Sequence, residues 1–207
     1  MPAGRLLPRS FFAQDAWVVA PLLLNKLLVA GDRAVRLVEV EAYAWFDPAS
    51  HSYGGVRPRN AVMYGPPARL YVYFSYGMHW CANVVVGPDG SGQAVLLRAG
   101  EPITGVEAMT AARGGHGGRH GRDLCRGPAR LAQALGLGPQ DNGRPLGGGA
   151  PAGVAIRDDG VAPPALPAVG PRVGITKAAD VPWRWWVPGS PWVSGGRERG
   201  GGATAGG

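Results

Sequence analysis

Three apolar runs follow one another between Leu70 and Arg98, and no other stretch limits the fold as strongly. Leu70 to Ser75 and Trp80 to Val86 are rich in β-branched and aromatic residues, and a short connection containing Gly77 joins them. A connection that short cannot carry a crossover, so the two runs pair as an antiparallel hairpin with Tyr76 near its tip. Gly87-Pro88-Asp89-Gly90-Ser91-Gly92 is a second turn signal, and Ala94 to Arg98 follows it as a third strand. The result is a β-meander.

The remaining segments are arranged around it. Asp15 reads as the N-cap of a helix reaching about Leu24, with Asn25 ending it in the left-handed conformation. Leu27 to Ala30 and Val35 to Tyr43 read as strands around a turn at Gly31-Asp32. Residues 44–68 read as irregular. Pro102 to Arg113 reads as a helix with Pro102 in its first turn, Gly114 to Arg122 as a mobile basic loop, and Pro128 to Leu135 as a second short helix. Residues 136–171 are Gly/Pro-rich with little periodicity. Val173 to Ile175 and Trp183 to Val187 read as short strands. Residues 1–194 are expected to form one domain and residues 195–207 a Gly-rich disordered tail. Short strands in a meander with interspersed helices indicate an α+β fold, mostly antiparallel.

Charge narrows the function classes. The formal net charge is +7 although only 17% of residues are charged, which fits an anionic partner such as nucleic acid, or simply an arginine-rich genome. Lys26 and Lys177 are the only lysines, so few amines are available for Schiff-base chemistry. Cys81 and Cys125 have no CxxC spacing, which argues against a disulfide framework or a cysteine zinc site. His116 and His120 are four apart, but in a glycine-rich loop, so no metal is expected. No segment is long and apolar enough for a membrane span, and no secretory signal is evident, so a cytoplasmic protein is expected.

Polar residues inside apolar patterns mark the candidate chemistry. Strict alternation puts Leu37, Glu39, Glu41 and Tyr43 on one face of their strand. Arg98 follows Val95-Leu96-Leu97, and a buried arginine needs a carboxylate, either Glu39 or Glu41. Such a pair is a fold-stabilising ion pair or a means of positioning a water molecule. Tyr71 and Tyr73 share one face, with core packing the plainer reading of Tyr71. Tyr76 at the tip suits a wedge entering a base stack.

Together these segments resemble the alkyladenine (3-methyladenine) DNA glycosylases in their bacterial form. The motifs are Leu37-Val38-Glu39-Val40-Glu41-Ala42-Tyr43, Asp47-Pro48-Ala49-Ser50-His51, Pro58-Arg59-Asn60, Met63 to Pro67, Leu70 to Asn83, Val95 to Ala99, Leu124 to Pro128 and Gly189 to Ser194, in that order and spanning roughly residues 10–194. The resemblance implies one domain built on a curved, mostly antiparallel sheet with surrounding helices and a protruding β-hairpin. That fold is similar to the C-terminal domain of a tRNA formyltransferase. It also implies hydrolysis of the N-glycosidic bond of damaged purines in double-stranded DNA, without cofactor, metal or lyase chemistry, in base excision repair. Nothing signals an oligomer, so a monomer acting at the nucleoid is expected. Carried over, Glu41 is the general base, while Arg98 and the main-chain carbonyl of Val173 hold the attacking water. Tyr43, His51 and Tyr73 form the aromatic slot, with the His51 amide on the base edge. Asn83 disfavours guanine, Tyr76 intercalates and Met78 lies beside it. Arg126 and Arg130 stand where the family more often has a small residue and a lysine, and phosphate contact is expected of them. Glu39 is left a supporting ion pair.

Two other readings remain open at this level. One is a non-enzymatic nucleic-acid binder, against which the joint presence of Glu41 and Arg98 speaks. The other is a carbohydrate glycosidase using Glu39 and Glu41, which two neighbours on one strand serve poorly.

Overall fold

The structure, a computed structural model, describes residues 4–75, 77–116, 121–146 and 153–195. In chain order the elements are β1 (Arg5–Leu6), α1 (Arg9–Phe12), α2 (Ala16–Leu23), β2 (Leu27–Ala30), β3 (Arg33–Tyr43), β4 (Leu70–Ser75), β5 (His79–Val86) and β6 (Gln93–Thr104). They continue with α3 (Val106–Ala112), α4 (Pro128–Leu135), β7 (Val154–Asp158), β8 (Ala168–Gly170) and β9 (Arg184–Trp186). The meander β4–β5–β6 is one wing of a curled antiparallel sheet ordered β1-β7-β2-β3-β6-β5-β4, with β9 on β3 and β8 on β9. This is an α+β single domain, as the strand pattern and the resemblance implied.

β3 occupies the middle of the sheet. It pairs with β6 along most of its length, with β2 over Arg33 to Arg36, and with β9 over Glu39 to Glu41. The strand carrying both glutamates is therefore enclosed by backbone on each side. On one face of the sheet, Val35, Leu37, Val40, Ala42, Leu70, Val72, Val84 and Leu97 join Val19, Leu23, Leu131 and Leu135 in the main core. α2 packs there on β3 and β6, and α4 packs on β5 and β6.

Strict alternation along β3 fails at its centre. Leu37 lies opposite Gly100, Glu39 opposite Ala99 and Val40 opposite Leu97, so the register slips by one residue and slips back. Val38 and Arg98 are the unpaired extra residues. A bulge changes which face the following side chains take. Leu37 therefore shares the core with Val40 and Ala42, and not, as alternation predicted, the face of Glu39, Glu41 and Tyr43.

Several boundaries differ from the sequence expectation for identifiable reasons. The expected helix from Pro102 starts only at Val106, because β6 runs on to Thr104 along the first half of β3. Pro102 is tolerated there because it sits at a second register shift, where Val35 pairs with Pro102 and Ala34 with Thr104. Gly105 ends the strand at φ +74, where a Cβ would meet the Asp32 carbonyl oxygen at 2.8 Å. Residues 136–171 contain β7 and β8, hidden because their partners are distant in sequence or very short. Val173 to Ile175 is irregular, not a strand. Asp15 does occupy the N-cap position, but without a side-chain cap. Its Oδ1 accepts instead from Gln93 Nε2 at 2.9 Å, and the Ala16 N–H donates to Gln93 Oε1 at 2.9 Å. Asn25 has the expected positive φ of 64°. α4 spans Pro128–Leu135 as expected and ends at Gly136 in the left-handed region. Tyr76, much of the 114–122 loop and the tail from residue 196 lie outside the described residues. No helix among the described residues is long and apolar enough to cross a membrane.

Candidate active site

Glu39 and Glu41 are both fully buried, which would cost several kcal/mol each without compensation. Two arginines supply it. Arg98 Nε donates to Glu39 Oε1 at 2.9 Å, and its Nη1 lies 3.1 Å from Glu41 Oε1. Either glutamate had been a candidate partner for Arg98, and it takes both. Arg184 Nε donates to Glu39 Oε1 at 2.7 Å, and the Ser194 N–H donates to Oε2 at 2.6 Å. Burial pushes the Glu39 carboxyl up, but the charge of Arg98, hydrogen bonding from Ser194 and the charge of Arg184 outweigh it and hold the group below the usual carboxylate range. Glu39 is thus an ionised hub fixing Arg98, β9 and the segment at Ser194, a supporting ion pair.

Glu41 is held differently. Its Oε1 accepts from the Val173 N–H at 2.7 Å as well as facing Arg98, and its Oε2 accepts from the Tyr43 hydroxyl at 2.8 Å. The irregular 173–175 segment is what brings that amide to the carboxylate. A carboxylate has about four acceptor positions, so Oε2 keeps capacity for a water.

Tyr43, Arg98 and Val173, the three groups on Glu41, all line one open cavity of about 800 Å³. His51 and Tyr73 line it too, so the aromatic residues selected from sequence are brought together. The His51 and Tyr73 rings meet edge to face at 4.4 Å. Asn83 is buried in the lining, and its Nδ2 donates to the Tyr71 carbonyl at 3.1 Å. Burial raises the Tyr43 and Tyr73 phenols well above the ordinary value, Tyr43 further because of the Glu41 charge. Burial lowers the His51 pKa, and the charge of Arg59 lowers it further. The pocket therefore presents neutral rings.

Sequence reasoning missed several residues here. Tyr71, read as core, is buried, but it also lines the cavity and its hydroxyl lies 3.0 Å from His51 Nδ1. Its phenol is pushed up to about 12 by burial. Asn60 Nδ2 holds the His51 carbonyl at 2.7 Å. Asp47 and Arg172 form a buried ion pair behind Tyr43. Parity alone put Tyr71 with Tyr73, and a second polar role on that face was the available signal.

Other candidates lie apart. Arg126 and Arg130 are not in the cavity lining; both face Asp123 Oδ1, at 3.6 and 3.2 Å. Arg126 Nε also donates to the Val193 carbonyl at 3.0 Å. Pro128, which opens α4, is at the cavity edge. At the hairpin end Met78 is 68% exposed and Phe74 52%, an apolar tip left in solvent.

The chain resembles known proteins over nearly its whole length. The family model described as methylpurine-DNA glycosylase (MPG) matches residues 10–191. A protein of Burkholderia lata named "Putative 3-methyladenine DNA glycosylase" is 60% identical over 93% of this chain and 92% of its own length. Relatives with the same name are 51% identical in Rhodopseudomonas palustris, over 92% of this chain and 89% of their own, and 46% identical in Frankia casuarinae, over 90% and 91%. With its fold, its buried glutamate pair and this extent of similarity, the chain belongs to the methylpurine-DNA glycosylase family.

Proposed function

We propose that this chain is a monofunctional DNA glycosylase that turns alkylated or deaminated purines out of duplex DNA and hydrolyses their N-glycosidic bond, leaving an abasic site. The observation that carries the reading is Glu41: a carboxylate sealed from solvent whose partners among the described residues, Tyr43, Arg98 and Val173, all line an aromatic cavity of about 800 Å³.

Turning a nucleotide out costs a few kcal/mol, least for a damaged or mispaired base. Tyr76 at the hairpin tip enters the gap, with Met78 beside it. The purine stacks between Tyr43 on one side and His51 and Tyr73 on the other, with Asn83 against its edge. A cationic, alkylated purine gains on the order of 1–2 kcal/mol on such rings and is also the better leaving group. As the bond breaks, its electron pair leaves with the purine and the sugar becomes cation-like. The Glu41 carboxylate stabilises that charge and takes a proton from the water that attacks C1′. Arg98 and the Val173 carbonyl orient that water. A neutral purine needs a proton to leave.

Replacing Glu41 with Gln should cut single-turnover excision about 10²- to 10⁴-fold while binding to lesion-containing duplex persists. Retained turnover would remove Glu41 from its role. No lysine lines the cavity, and Lys26 is engaged with Asp158 at 2.8 Å, which supports hydrolysis without a Schiff base. Borohydride added during turnover should trap no covalent protein–DNA adduct, and an adduct would make the enzyme bifunctional.

A further inference from the structure

Behind the pocket wall lies an ion pair that the proposed chemistry does not use. The Arg172 side chain is 0% exposed and that of Asp47 2%. Both terminal nitrogens of Arg172 engage the Asp47 carboxylate. Nη1 also donates to the Ala42 carbonyl at 3.0 Å, and Nη2 to the Ala178 carbonyl at 3.3 Å. The guanidinium lies 4.7 Å from the centroid of the Tyr43 ring and 5.5 Å from that of Trp183. On the other side of the pair, Asp47 Oδ1 accepts from the Ala49 N–H at 2.9 Å, and the Asp47 carbonyl accepts from the Ser50 N–H at 2.9 Å.

Three segments of the pocket therefore meet at one pair: the end of β3 with Tyr43, the turn leading to His51, and the irregular segment with Val173. Two hydrogen bonds to Glu41 come from the immediate neighbourhood of Arg172. One is the Val173 N–H, on the next residue, and the other is the Tyr43 hydroxyl, on the ring Arg172 packs against. An ordinary buried salt bridge is weak evidence of stabilisation, because dehydrating both ions offsets most of their attraction. A bidentate, stacked arginine with carbonyls on both terminal nitrogens instead fixes geometry.

We propose that Asp47–Arg172 is a positioning pair that holds the Tyr43 hydroxyl and the Val173 amide on Glu41. The inference rests on the proposed role of Glu41. The pair touches neither base nor sugar, and it acts on the chemical step through the placement of the carboxylate and not on capture of the lesion.

The test uses single-turnover excision of hypoxanthine from duplex DNA together with the Kd for the same duplex. The variants are Asp47→Asn/Arg172→Gln, which leaves no buried charge unpaired, Arg172→Lys, which keeps the charge but loses the planar fork, and Tyr43→Phe. Misplacing a catalytic group by about 1 Å can cost about 10²-fold, so the Asn/Gln pair should lower the rate at least about tenfold with Kd changed less than about threefold. Arg172→Lys should fall in the same direction by less. Combined with Tyr43→Phe, the Asn/Gln pair should lose less than the product of the separate losses, because the Tyr43 hydroxyl is one of the two groups through which the pair acts. Rates near wild type, a Kd change equal to the rate change, or fully multiplicative losses would each overturn the inference while leaving Glu41 as the base. A wild-type protein that excises no damaged purine would overturn the proposed function, and this inference with it.

Discussion

His51 is held as the neutral imidazole, the form that would not repel the cationic purine proposed for this pocket. Burial and the charge of Arg59 lower its pKa from the ordinary 6.5. The folded state thus prefers neutral His51 more than the unfolded chain does. This preference contributes stability that is complete above the unfolded pKa and is lost as pH falls toward the folded one. Comparing wild type with His51→Asn, the unfolding midpoint of wild type should fall more between pH 7.5 and pH 5.5. A difference independent of pH would mean that the ring titrates alike in both states. At this scale much was legible. Glu39, Glu41, Tyr43, Tyr73 and Arg98 stood out because charged and aromatic residues interrupt apolar patterns, while the family resemblance supplied their roles and that of His51. The resemblance ranked the two glutamates, but the partners that fix Glu39 needed three dimensions, since Ser194 and Arg184 reach it across more than a hundred residues of chain. Asp47–Arg172 was invisible for the same reason.

Among the elements, local signals located β4, β5, the start of β6 and α4 to within a residue, because turn glycines and a starting proline act on their own neighbours. Elements set by distant partners were misread. β6 continues through Pro102 only because β3 is there to pair with it, and β7 forms in a Gly/Pro-rich stretch because β2 lies alongside. The bulge in β3 belongs to the same class. It keeps Leu37 in the core and turns Glu39, Glu41 and Tyr43 away from it. The hairpin β4–β5 has the opposite design: its base is packed in the sheet, while Phe74 and Met78 at its end are exposed. Apolar side chains left in solvent at a hairpin tip fit a wedge that enters DNA. Tyr76→Ala should therefore lower excision from duplex far more than excision from a single strand, where no stack has to be opened. Equal losses on the two substrates would assign Tyr76 to the pocket and not to base extrusion.

For the molecule as a whole, the net charge of +7 rests almost entirely on arginine, and duplex DNA is the polyanion it is suited to meet. Neutralising phosphates releases counterions, so the logarithm of the binding constant should fall linearly with the logarithm of salt, with a slope of about −0.9 per phosphate contacted. Arg126 and Arg130 test where those contacts lie. Both face Asp123, so each offers DNA a charge already partly offset, and Arg126 is further held by the Val193 carbonyl. Exposed pairs of this kind contribute about 0–1 kcal/mol, little enough for a phosphate to displace the carboxylate. If Arg130 binds the backbone, Arg130→Gln should weaken binding to damaged and undamaged duplex alike and make the slope about 0.9 shallower. Asp123→Asn should tighten both, since it frees the two arginines. An unchanged slope in Arg126→Gln and Arg130→Gln would take both residues off the DNA backbone and leave them as local partners of Asp123.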